Sequence, residues 1–549
     1  MIDLAKMLTS EIVLIATACL LFVSGFARGL AKPATLASIA LTGVLAAAAI
    51  SAWQFTTLSA SAVLPLSEDY QSFRLGSFAL FVRLVILCTG VLMVMLAWPR
   101  SATGNAGVDW GRDPGEFFGL MLLSLAGLTM VPAANDLNVL FMSIELASLP
   151  TYILVAMSRP FARAQEAGLK YFFLGALSAA LLLLGFAYLY GSTGTTRLFS
   201  PDLVSIAGVI RGDASVSAVT ALTTWQTLGV LLVIIAMTFK LAAFPMYAYV
   251  GDVYEGAGTA ITAFIGFVPK ALGVIVLLKI LSAVGGGSHW SVPETIAKVL
   301  IAVAVITMTL GNVLALAQRS VKRMLAYSSV AHSGYLLAGI AAAATLGSLA
   351  GEQAIQAVLF YLAAYAVTSA AAFGVLMRLP SRQFVDLKGS RYALPATSAE
   401  TFDDLQGVGR QHPVLGLALT VAMLSLIGIP LTAGFWSKYF VILTPLTSDN
   451  PWLLALALIV LINSAVAAAY YLRVIGTMYF ADHPDAAGDR PLPATPMPVS
   501  IALGVAVGAI LFFGAIPAAT QLLSTEALSA SQIETQMIRI EPRADISSQ

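Results

Sequence analysis

The chain has 549 residues, 59% hydrophobic and 10% charged, with a mean hydropathy of +0.88 and a formal net charge of +1. A soluble domain is about a quarter charged, so this composition excludes an ordinary soluble protein and describes one that crosses a membrane many times. The balanced charge gives no reason to expect nucleic acid. Cys19 and Cys88, in separate apolar segments, offer no disulfide, zinc or iron–sulfur framework.

A helical span needs about 20 apolar residues, and by that rule about fourteen follow one another. They lie at 11–28, 34–54, 76–98, 115–134, 136–157, 166–190, 227–248, 258–282, 294–315, 324–345, 353–378, 413–445, 452–474 and 497–518. Lys6 and the run from Ile12 to Val23 mimic a signal peptide. Arg28 and Lys32 flank that run and no small-residue cleavage site follows, so it reads as a retained first span. The fifth span carries Glu145, the one acid well inside a span. The sixth opens with Glu166 and Lys170, four apart on one helix face near its end, as a surface pair or a further proton site. The seventh holds Lys240 ahead of Pro245, and the eighth holds Lys270 behind Pro269, each proline removing a backbone donor. Lys270 lies too deep to snorkel, whereas Lys279 and Lys298 stand near helix ends where snorkelling fits. The tenth carries His332 among Ser328, Ser329, Ser333 and Tyr335. The polar 379–412 loop reads as an insertion rather than a docking surface. The twelfth span is too long for one straight helix; Gly428-Ile429-Pro430 marks a break, with Lys438 just past it. The tail after Pro517 is weakly amphipathic.

Loops after odd-numbered spans hold roughly sixteen lysines and arginines, Arg159, Arg319, Lys322 and Arg323 among them, against six on the other side. Both termini are therefore expected outside the cytoplasm. Spans four to eight and nine to thirteen each contain a proline-broken helix with a lysine. Five spans is an odd number, so the second block must run inverted, the pattern of transporters with a site between discontinuous helices. The expected organisation is an N-terminal three-helix region (1–114), a first five-helix repeat (115–290), a second, inverted one (291–480), and a last helix and tail (481–549).

An ammonium group near a bilayer centre costs roughly 2.5–3.5 kcal/mol even on lenient scales. Three of them, Lys240, Lys270 and Lys438, need a shared reason, and a lysine shielded from water can exchange its proton near neutral pH. A proton path is the leading reading. Glu145 is the expected partner of Lys240, as a structural ion pair or as a switch. His332 among hydroxyls is a relay or a packed, hydrogen-bonded histidine. The scattered histidines suggest no haem.

The stretches DLNVLFMSIELASLPTYILVA, EAGLKYFFLGALSAALLLLGFAYLYGSTGT, FKLAAFPMYAYVGDVYEGAGTAITAFIGFVPKA, KRMLAYSSVAHSGYLLAGI and GIPLTAGFWSKYFVI resemble one family, the N subunit of proton-pumping NADH:quinone oxidoreductase, respiratory complex I. The likeness spans about residues 115–480; the 379–412 loop is longer than expected and the first three spans match loosely. The resemblance implies an all-α polytopic fold of about fourteen helices, with helices 7 and 12 discontinuous. It assigns Glu145, Lys240, Lys270 and Lys438 to a polar axis across the membrane, joined by waters, and lends Lys170 a place in it. It also implies a chain without its own cofactor: NADH, FMN, iron–sulfur clusters and quinone belong to partner subunits of the membrane arm and the rest of the complex. The expected setting is a bacterial inner membrane, which an Ala-rich chain without a transit peptide suits. The expected mechanism is electrostatic: quinone reduction elsewhere perturbs the Glu145–Lys240 pair, and a proton moves by Lys270 and His332 to Lys438. The rivals are a Mrp-type or stand-alone sodium/proton antiporter and a scaffold with a vestigial axis.

Overall fold

A computed structural model of the chain describes residues 2–26, 32–58, 72–99, 113–159, 162–200, 205–211, 222–285, 292–379, 384–387, 390–393, 399–481 and 495–516. The N-terminal part forms α1 (Ile2–Met7), α2 (Thr9–Phe26), α3 (Pro33–Leu58) and α4 (Ser77–Leu96). Then come α5 (Pro114–Met130), α6 (Leu137–Met157), α7 (Ala162–Thr193), α8 (Ile206–Arg211), α9 (Thr224–Leu241), α10 (Val250–Gly256) and α11 (Thr259–Val284). The second half holds α12 (Glu294–Leu316), α13 (Val321–Leu346), α14 (Ser348–Arg378), α15 (Phe402–Leu405), α16 (Val408–Gln411), α17 (Pro413–Ile427), α18 (Ala433–Leu446), α19 (Pro451–Phe480) and α20 (Met497–Ala515). Among the described residues, twelve helices are long and apolar enough to cross a membrane, or thirteen if the bent pair Phe402–Gln411 and Pro413–Ile427 is one span. The span expected at 413–445 is two helices, α17 and α18, of 15 and 14 residues.

Local chemistry sets the helix starts. Asp136 accepts from the amide of Asn138 at 2.8 Å to open α6, and a Thr223–Gln226 capping box opens α9. Pro114, Pro413 and Pro451 occupy first-turn positions, where their missing N–H costs nothing. Two expected breaks are present. Helix α9 stops at Leu241, Ala242 turns left-handed (φ 57°), and Pro245 lies in the turn before α10. Helix α17 stops at Gly428, whose φ of 89° suits glycine, and α18 resumes at Ala433. Pro269 breaks nothing: α11 runs through it without interruption. Every residue of α11 except Ser282 is buried. A helix apolar all round belongs at the centre of a bundle, and α11 packs against α6, α9, α13 and α14. Neighbouring helices packed around it keep the helix continuous despite the lost backbone bond.

One departure from an all-α fold is a hairpin, β1 (Phe384–Leu387) and β2 (Ser390–Ala393), antiparallel in the 379–412 loop. The rest of that loop at 380–383, 388–389 and 394–398 lies outside the described residues, as does the tail after Pro517. Arg159, Lys322 and Glu400 meet, which brings the loops after the fifth, ninth and eleventh expected spans to one end of the bundle. Bridges Phe73–Ala134 and Asp136–Arg197 gather the intervening loops at another set of helix ends.

Candidate functional site

Lys240, one residue from the end of α9, is buried and points at α6. Its Nζ donates to Ser148 Oγ at 2.6 Å and to Tyr152 Oη at 3.0 Å. Glu145 Oε1 stands 4.0 Å away, so the expected partner is an ion pair at the edge of range, without a direct hydrogen bond. Ser148 and Tyr152 were not singled out from sequence. The available signal was spacing: 145, 148 and 152 fall on one helical face. Tyr171 and Tyr249 continue the aromatic wall, stacked at 5.3 Å.

Lys270 shares the same break. Its Nζ donates to Leu241 O at 3.3 Å, to Ser329 O at 2.7 Å, and bonds Ser333 Oγ. Ser333 also donates to Leu241 O. The end of α9 leaves carbonyls without intrahelical donors, and a cation with a hydroxyl satisfies one of them. Lys240 and Leu241 are adjacent, so one break joins both lysines. A cavity lined by Tyr171, Lys240, Tyr249, Tyr254, Pro269 and Lys270 lies between them, with about 10 Å³ of room for the centre of a water molecule.

Lys438 repeats the arrangement at the second break. Its Nζ donates to Leu426 O at 2.9 Å and Ile427 O at 2.8 Å, the freed carbonyls of α17. The Tyr335 ring lies 5.1 Å from the ammonium, within cation–π range. His332 is suspended between two hydroxyls, Tyr361 Oη at 2.6 Å and Tyr471 Oη at 3.0 Å, and Tyr471 bonds Ser328. The histidine is buried on α13 between the Lys270 partners and Tyr335. Tyr361 and Tyr471 were also missed; the legible sign of Tyr361 was Tyr365 four residues on in an apolar helix, and that of Tyr471 the adjacent Tyr470.

Lys170 and Lys279 fall outside this row. Lys170 is exposed and paired with Glu166 (2.8 Å) and Asp252 (2.7 Å). Lys279, expected to snorkel, is instead buried and donates to Pro132 O at 2.7 Å. The bend after α5 presents that carbonyl to α11, so the ammonium finds a partner inside the bundle. A further buried ion pair was missed entirely: Arg83 Nη2 on α4 stands 2.9 Å from Glu11 Oε1 on α2. Among the described residues, no group of three or more His, Cys, Asp or Glu side chains could hold a metal ion.

Interrupted helices whose loose ends are held by buried lysines define a class, the polytopic membrane proteins with a charged interior. Residues 134–464 match the family described as NADH:quinone oxidoreductase/Mrp antiporter, transmembrane. The chain is 36% identical over 461 residues to NADH-quinone oxidoreductase subunit N 1 of Sorangium cellulosum, covering 83% of each chain. It superposes on a chain of respiratory complex I from Thermus thermophilus with a TM-score of 0.71 and 26% identity, over 94% of this chain and 99% of that one. A chain of the Mrp complex from a Dietzia species shares the fold, with a TM-score of 0.75 at 20% identity over 97% and 98% of the two chains. The chain belongs to the subunit N family of NADH-quinone oxidoreductase.

Proposed function

We propose that this chain is the proton-translocating N subunit in the membrane arm of a bacterial NADH:quinone oxidoreductase, coupling quinone reduction elsewhere in the complex to proton movement. One observation carries the reading. Among the described residues, Lys270 and Lys438 are buried with carbonyls, a hydroxyl and aromatic rings for partners and no carboxylate in ion-pair range. A buried cation that serves stability is paired; these two are held so that a proton can come and go. The proton runs from Lys240 through the cavity to Lys270, then by Ser329, Ser333 and His332 to Lys438. Glu145, loosely paired and partly exposed, is the group through which a neighbouring subunit biases Lys240. Lys170, in its surface pairs, is assigned no step.

The chain acts as an enzyme subunit whose electron carriers, FMN, iron–sulfur clusters and quinone, reside in partner subunits. Its place is the bacterial inner membrane, beside other antiporter-like subunits, with both termini on the periplasmic side. The blocks 115–290 and 291–480 are read as inverted repeats. Support comes from the two breaks, at 242–249 and 428–432, each with its freed carbonyls held by a lysine. The test is Lys240→Met in the assembled complex in vesicles. The expected result is loss of proton translocation by this subunit; a wild-type proton yield per electron overturns the reading. Sodium-for-proton exchange by the purified chain, without NADH oxidation, would instead make it an antiporter.

A further inference from the structure

Glu400 lies in the loop read from sequence as an insertion, yet both its backbone and its side chain are bonded to other parts of the chain. Its amide donates to Asp404 Oδ2 at 2.9 Å, and its carbonyl accepts from Ser320 Oγ at 2.9 Å and from the Lys322 amide at 3.3 Å. The carboxylate meets two buried cations, Arg159 at 2.6 Å and Lys322 at 3.4 Å. Arg159 follows the C-terminal end of α6, and Lys322 lies in the first turn of α13. Lys322 Nζ also donates to Ala257 O at 2.5 Å, and the next amide, Gly258, donates to Ser158 Oγ at 2.9 Å. Two elements therefore meet at one carboxylate, the end of α6 and the start of α13, and the turn before α11 is bonded to both of them.

Helices α6 and α13 carry the partners of the first two lysines of the buried row. Arg159 is seven residues beyond Tyr152, and Lys322 is seven residues before Ser329. At 1.5 Å per residue, each interval is two turns, about 10 Å. The carboxylate thus joins α6 and α13 at the same depth below the groups that hold Lys240 and below those that hold Lys270. A lateral shift of either helix would change the gap between the groups that hold the two lysines. We propose that Glu400 is a positioning residue: its carboxylate locks the end of α6 to the start of α13 and so sets the spacing of the Lys240 and Lys270 partners. The assignment rests on the proton-row reading above.

The test compares Glu400→Gln, Glu400→Asp and the paired Glu400→Gln/Lys322→Met in the assembled complex, in vesicles, reading NADH oxidation and protons moved per electron. The paired variant keeps the cluster's net charge at +1, since Arg159 and Lys322 against Glu400 give 2 − 1 = +1 and Arg159 alone gives +1. It satisfies a merely structural role and removes the clamp. The expected result is a complex that assembles but pumps about tenfold more slowly, short of the ~10²-fold that a 1 Å misplacement can cost. Glu400→Asp restores most of that loss. A paired variant with the wild-type proton yield overturns the proposal, even if Glu400→Gln alone fails to assemble. Lys240→Met run alongside separates the two failures. If it abolishes pumping while the paired variant pumps normally, only the clamp falls. If it too pumps normally, the proton-row reading falls and the clamp with it.

Discussion

At the scale of single residues, the buried lysines are distinguished by what they touch. Lys240 has one carboxylate at 4.0 Å and two hydroxyls in direct contact. Hydrogen bonds to a charged group contribute about 1.5–3 kcal/mol each. Ser148→Ala is therefore expected to slow proton translocation roughly tenfold, the equivalent of about 1.4 kcal/mol, with assembly unchanged; vesicle pumping against complex yield on native gels checks it. Glu400 allows a pH expectation. Burial by itself would raise its carboxyl, but Lys322 and Arg159 outweigh that and hold it below the usual carboxylate range. A lowered folded value means its contribution is full above the unfolded value of about 4.3 and is lost only as pH falls through the folded one. Amide protection factors at residues 400–405, corrected for the intrinsic pH dependence of exchange, should hold constant across neutral pH and fall only on strong acidification. The residue types of the row were legible because charge in an apolar run has no ordinary explanation. Their partners were not, because serine, tyrosine and backbone carbonyls are common in any helix and gain meaning only from the helix opposite.

At the scale of elements, the breaks and the close approaches govern the site. Pro245 and Pro430 mark breaks and Pro269 does not, for a physical reason. Pro245 and Pro430 lie next to residues with positive φ, Ala242, Gly428 and Leu431, where the helix ends. Pro269 has no such neighbour and sits in a helix buried on every side, where packing outweighs one absent hydrogen bond. Sequence shows that a donor is missing; it does not show what surrounds the gap. The α5–α6 contact depends on Gly127: a Cβ there would meet the Ala147 amide nitrogen at 2.3 Å and the Leu146 carbonyl carbon at 2.6 Å, both backbone. Those two residues lie between Glu145 and Ser148. Gly127→Ala should cost about 1–3 kcal/mol by overpacking and also impair pumping, because relief requires α6 to move. Thermal unfolding and proton yield measured on the same preparation would show both effects together; a change in neither would contradict the close packing.

At the scale of the whole molecule, two buried ion-pair clusters tie the helices outside the row. One is Glu400 with its cations. The other is Arg83 with Glu11, further fixed by Arg83 donating to Thr129 O and Met7 O, both at 3.1 Å. Removing one partner of such a pair strands a charge and costs about 3–5 kcal/mol, whereas replacing both with apolar groups is often neutral. Arg83→Met is expected to lower the thermal stability of the complex sharply, and Arg83→Met/Glu11→Met to recover most of it with normal pumping. The burial of α11 also bears on how the chain is made. Ribosomes deliver it before α13, yet of the three groups that hold Lys270 only Leu241 O precedes it; Ser329 and Ser333 follow, the latter 63 residues later. Until they emerge, a helix that touches no lipid in the finished protein has nowhere apolar and complete to rest. Biogenesis must keep α11 sheltered, at the insertion machinery or against α9, until α13 closes over it. The order of synthesis thereby becomes a constraint on folding that the finished bundle no longer displays.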